Sequence, residues 1–165
     1  MAREFKSVDA ALRVYGGLIV QRLVEGLNAN NSNASGALNE SIALTMKSNA
    51  EGFIVDALDY WGAVDGGRRA GKRPPITAIE QWLRYPNVRD KIRFGASDKA
   101  FGDKERKALA FMIARKIGRE GTKGNNFFKN VVESDIIEDM TVAVANGAMD
   151  DMLAAIDRTI NDIAV

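Results

Sequence analysis

The segment Gly66 to Trp82, GGRRAGKRPPITAIEQW, carries the spacing Gly66-x-x-x-x-Gly71-Lys72, most of a phosphate-binding loop. Such a loop presents backbone N–H groups to phosphate oxygens, with a Ser or Thr right after the lysine to hold magnesium. Here Arg73 stands in the Ser/Thr position, and Pro74 and Pro75, which have no N–H to give, follow it. Asp56, Asp59 and Asp65 lie in the lead-in, where a carboxylate repels phosphate. The nucleotide reading fails on its chemistry. What remains is a dense cationic segment, Arg68, Arg69, Lys72 and Arg73, on a glycine-flanked loop that two prolines stiffen at its exit.

Other chemistry finds little to stand on. Cysteine and histidine are absent, which removes disulfides, thiolate metal sites, a cysteine nucleophile and the commonest general base at neutral pH. Asp135, Glu138, Asp139, Asp150 and Asp151 are the candidates for a metal-assisted phosphodiester reaction. They fall between the apolar positions of their helices, as a solvated face does. No Ser or Thr has a visible base partner. The expectation is a protein that is not an enzyme, with no catalytic residue, cofactor or metal. The cationic segment has three readings: contact with nucleic-acid phosphates, salt bridges to an acidic protein, or a solvated loop. Aromatics interleaved for base stacking are sparse, and neither a zinc-finger nor a helix-turn-helix pattern emerges.

The elements that must position these residues follow from periodicity. Leu12, Tyr15, Ile19, Leu23 and Leu27 make one stripe of a helix, with Ser7 or Asp9 as its cap. Gly16–Gly17 weakens that helix by about 1 kcal/mol per glycine, so it needs packing to hold it. NANNSNASG (28–36) is loop chemistry. Ile42, Leu44 and Met46 then alternate with Ser41, Ala43, Thr45 and Lys47, which reads as a half-buried strand. A connection at 48–51 leads to a second strand over 52–61, with Phe53, Val55 and Ala57 inward. The pair forms an antiparallel hairpin whose apolar face needs a helix against it. Pro74–Pro75 opens a short helix with Ile79, Trp82 and Leu83 on its apolar face, ending before Pro86. Residues 87–103 read as a loop. Leu109, Met112, Ile113, Lys116 and Ile117 mark a further helix, capped by Asp103 and ending near Gly118 or Gly121. GTKGNN (121–126) is a turn. Phe127 and Phe128 are adjacent, so one anchors inside while the other covers a partner or a neighbouring element. Ile136 to Ile163 is helical by period, with Gly147 as a break or kink.

The fold expected is therefore α+β: an antiparallel sheet built on a β-hairpin, flanked by helices, with a helical C-terminal segment. A chain of 165 residues is long enough for one domain with a real core. No apolar run reaches the roughly 18 residues of a membrane span, and the start of the chain lacks the apolar core of a secretory signal. The net charge of +1 hides segregation. Residues 1–65 hold 5 basic and 8 acidic side chains, 66–130 hold 17 and 6, and 131–165 hold 1 and 8. Either these blocks neutralise one another on folding, or the subunit has a basic and an acidic face suited to docking onto copies of itself or an acidic partner.

Tyr60 through GRRAGKRPPITAIEQWL, followed by ALAFMIARKIGREGTKGNNFF (108–128), resembles the tail-completion (neck, head–tail joining) proteins of long-tailed bacteriophages. The likeness covers residues 36–132, leaving an N-terminal helix and loop (1–35) and an acidic helical tail (133–165) outside it. The resemblance implies a structural virion protein, assembled in the host cytoplasm and placed in the neck or tail. It implies a homo-oligomeric ring, six-fold or a multiple, touching the head connector on one side and the tail tube or terminator on the other. DNA passes through such a ring, with nonspecific contact to it, and no membrane is involved. Arg68, Arg69, Lys72, Arg73, Pro74, Pro75, Lys123, Phe127 and Phe128 become the expected subunit or partner interface. In that setting Trp82 and Ile79 clamp their helix onto the hairpin. The alternatives kept open are a tail terminator capping the tube and a nonspecific nucleic-acid-binding protein.

Overall fold

A computed structural model describes residues 6–29, 35–89 and 102–163. The predicted loops at 28–36 and 87–103 fall partly outside them. The chain divides into two compact units. One takes the described residues up to Gly26, Asn39–Leu58, and those from Phe127 on; the other takes Leu27–Leu38 and Asp59–Asn126.

In the first unit, the apolar stripe of the N-terminal helix α1 (Lys6–Ala29) is buried at Val8, Leu12, Ile19 and Leu23. A short helix α2 (Ala37–Ser41), not expected from periodicity, precedes strand β1 (Ala43–Met46). Strand β2 (Phe53–Asp56) pairs with β1 antiparallel, with Leu44 opposite Val55 and Met46 opposite Phe53. These residues share the half-buried face, as the alternation predicts, while Ile54 lies on the exposed one. A Lys47 N–H to Gly52 carbonyl bond of 2.9 Å closes the hairpin. β2 is shorter than the predicted strand because the Leu58 N–H turns away to the Ser41 hydroxyl at 3.1 Å. The hairpin rests on α1 at Gly16, where an added Cβ would stand 3.0 Å from a Leu44 methyl. The glycine that weakens the isolated helix lets the sheet approach it.

The second half of this unit is α7 (Phe127–Val132) and the 29-residue helix α8 (Asp135–Ile163). α8 runs antiparallel to α1. Asp135 meets Arg22 at 3.1 Å near one end, and Asp151 meets Ser7 and Val8 near the other. α8 is continuous through Gly147. That glycine is buried, with its Cα facing the Ser7–Val8 backbone so closely that a Cβ would come within 2.9 Å of the Ser7 carbonyl carbon. The start of α1 is likewise held from outside. The Asp151 carboxylate accepts the Ser7 and Val8 N–H groups at 3.0–3.1 Å, doing for α1 what Ser7 or Asp9 was expected to do. A carboxylate at a helix start is favourable because the first amides have no partner within the helix. Asp9 instead pairs with Arg13 one turn on, at 2.6 Å.

In the second unit, helix α3 (Trp61–Asp65) leads into strand β3 (Gly67–Arg68), and Pro75 caps helix α4 (Ile76–Trp82) as its proline signature predicts. A helical turn α5 (Pro86–Arg89) occupies the beginning of the expected loop. α4 packs on α6 (Asp103–Glu120). Their core is Leu83, Val88 and Ala110, with Ile79, Leu109 and Ile113 against it. Trp82 is 38 % exposed. Leu83, one residue on, takes the inward position. α6 places its fully buried positions at Ala110 and Ala114, so small side chains set the approach, while Met112 faces solvent. Gly102 holds the cap position before α6, and Asp103 inside the first turn pairs with Arg106. The Gly121 N–H closes the helix onto the Ile117 carbonyl at 2.8 Å. Among the described residues, two antiparallel pairs amid helices make the fold α+β, with a helical C-terminal segment.

Candidate functional site

The cationic segment is a hook whose base is sewn to the turn that follows α6. β3 pairs antiparallel with β4 (Thr122–Lys123), Gly67 opposite Lys123 and Arg68 opposite Thr122. The pairing continues beyond the strands: Asn125 N–H reaches the Val64 carbonyl at 3.1 Å and Asn126 N–H the Asp65 carbonyl at 2.9 Å. At the far side, Gly71 N–H donates to the Gly118 carbonyl at 2.8 Å. Backbone therefore meets backbone at Gly67, Gly121 and Gly124, where no room is left for a Cβ. A Cβ on Gly124 would overlap the Asp65 carbonyl, and one on Gly67 the Thr122 carbonyl. Gly67 also has φ +77°, a left-handed conformation that a glycine adopts without strain.

This is not the geometry of a phosphate loop. The Gly71 amide is spent on the fold, and no helix begins until Ile76. The side chains divide into two groups. The Arg68 guanidinium folds back and donates to the Lys72 carbonyl, bracing the hook from within. The aliphatic stem of Arg73 lies over Gly118. The side chains of Arg69, Lys72, Arg73 and Lys123 are all exposed: three cations on the hook itself and one on the strand paired with its base. Pro74 is half-buried and Pro75 exposed, and together they fix the exit into α4. Fixing that exit lowers the conformational entropy lost when the hook meets a partner.

The structure thus gathers Arg68, Arg69, Lys72, Arg73, Pro74, Pro75 and Lys123 in one place. Phe127 and Phe128 belong to the other unit. Phe127 is 3 % exposed, seated against Gly26 of α1, and Phe128 is 37 % exposed, the division that two adjacent aromatics require. Sequence reasoning missed the partner of the hook. The signal was present in the glycines at 118, 121 and 124, three residues apart, which periodicity treats as helix-end and turn punctuation.

The predicted acidic candidates do not converge. Asp151 is occupied at the start of α1, and those two backbone N–H groups, Ser7 first, hold its carboxyl below the usual range. Asp135 pairs with Arg22. Among the described residues, no group of acidic side chains is placed to hold a metal ion, and no helix is long and apolar enough to cross a membrane. The arrangement can grip anionic surfaces through a cationic segment anchored at its base, with hydrogen bonds strengthened by the charge of their donors. Comparison with known protein families, with curated proteins and with solved structures finds no match for the chain.

Proposed function

We propose that this chain is a structural, non-enzymatic subunit of a phage neck, a ring that joins the head connector to the tail around the DNA channel. The observation that carries the reading is the hook. Its base is fixed by backbone pairing and glycine contacts, and it leaves Arg69, Lys72 and Arg73, with Lys123 on the paired strand, exposed to a neighbour. A rigid cationic projection suits a mechanical joint, because little freedom remains to be lost on docking. The resemblance of residues 36–132 to tail-completion proteins points the same way. The charge segregation between blocks fits subunits that meet head to tail, a contact that closes into a ring when the rotation permits.

Deleting the gene from the phage genome tests this. Filled heads and finished tails should accumulate side by side without joining. Tails of uncontrolled length would instead identify a terminator that caps the tube, and normal infectious particles would overturn both readings. The same exposed cations favour one further reading, nonspecific binding to nucleic acid. DNA affinity that falls steeply with salt and disappears when Arg69, Lys72, Arg73 and Lys123 become alanine would support it.

A further inference from the structure

α8 outruns its support. Asp151 bonds the start of α1, and every residue from Met152 to Ile163 beyond it is exposed. Twelve helical residues span about 18 Å. Yet this overhang is not polar. Met149, Leu153, Ile156, Ile160 and Ile163 recur at spacings of four, three, four and three, and each is more than half exposed. That is the seam of a helix built to pack against another helix. Asp150 and Asp157 run along one edge of the seam, and α8 carries seven carboxylates against one arginine. Pairing two such helices would set like charges side by side.

A complementary face exists on α6. Its exposed side presents Phe111 and Met112 amid Lys104, Lys107, Arg115 and Arg119. α6 as a whole has six basic and three acidic side chains. An apolar centre with cationic flanks is the counterpart of an apolar seam with an anionic edge.

We infer that the C-terminal overhang of α8 docks on the exposed face of α6 of a second copy of this chain. The contact is heterologous: each copy offers one α8 and one α6, so association propagates from subunit to subunit. This rests on the neck-ring reading and supplies the surfaces by which its subunits would meet.

Sedimentation velocity of the full chain at low salt, over a range of concentrations, tests the contact. Asp150→Lys with Asp157→Lys, and separately Lys107→Glu with Arg115→Glu, change only exposed side chains. Each pair should weaken self-association at least tenfold. Mixing the two variants should restore it, because every α8 then finds an α6 of opposite charge. Leu153→Asp with Ile156→Asp should abolish it and resist rescue. Thermal unfolding of each variant confirms that the fold is kept. Unchanged association of Lys107→Glu/Arg115→Glu, failure of the mixture to recover, or a monomeric wild type at every concentration would overturn the contact. The neck reading is judged apart from it, by whether heads and tails join in the particle.

Discussion

At the scale of the residue, Asp151 links α8 to α1 through the amides of Ser7 and Val8, 144 and 143 positions away. Its pKa is depressed in the folded chain. The contact therefore stabilises fully above the ordinary aspartate range and is lost as pH falls through the lowered value. Asp151→Ala should lower Tm at neutral pH, and the gap to wild type should narrow in acid, as thermal unfolding at pH 7 and below pH 3 will show. A gap that persists unchanged in acid would contradict the cap. Glycines give an opposed pair of predictions. Gly124→Ala forces a Cβ into the Asp65 carbonyl and should cost about 2 kcal/mol or more. Gly17→Ala on α1 meets nothing within 4 Å and should stabilise by roughly 0.5–1 kcal/mol. Denaturant titration distinguishes the two signs.

At the scale of the element, packing decides what local preference leaves open. Leu83 sits in the α4–α6 core, and Leu83→Ala should destabilise by about 2–5 kcal/mol. Trp82→Ala removes a partly exposed ring and should cost far less. Sequence reading ranked these two neighbours together, because a short helix with three apolar residues does not say which faces inward. The hairpin and its inward face were legible, since period-two alternation has one solution once a single face is buried, but the end of β2 was not: the strand stops at Asp56. α2, α3 and α5 were not, being four or five residues each and too short for a 3.6-residue period to register. Gly147 was misread as a break because sequence reports a missing side chain without showing what fills its place. The overhang of α8 makes its own prediction. Fewer than about 12–15 helical residues are marginal alone, so amides from Met152 onward should exchange rapidly in the dissociated chain. They should become protected on assembly, as hydrogen exchange before and after will show.

At the scale of the whole molecule, the charge blocks visible in sequence resolve into particular surfaces. The basic block supplies the hook and the exposed face of α6, and the acidic block supplies the edge of α8. Composition located the blocks. It could not show that the hook is sewn to the Gly118–Gly124 turn, because that pairing joins residues some 50 positions apart through backbone atoms common to every sequence. Contacts between such surfaces are screened by salt, with a Debye length near 10 Å at 0.1 M. The mechanical account asks these surfaces to hold a joint together, so the most direct measurement is a reconstruction of the assembled particle with this chain located in it. The account predicts a closed ring between head connector and tail, with Arg69, Lys72, Arg73 and Lys123 pressed against a neighbouring chain or the DNA. A particle in which the chain is absent from that junction, or sits there with its hook touching nothing, would contradict it.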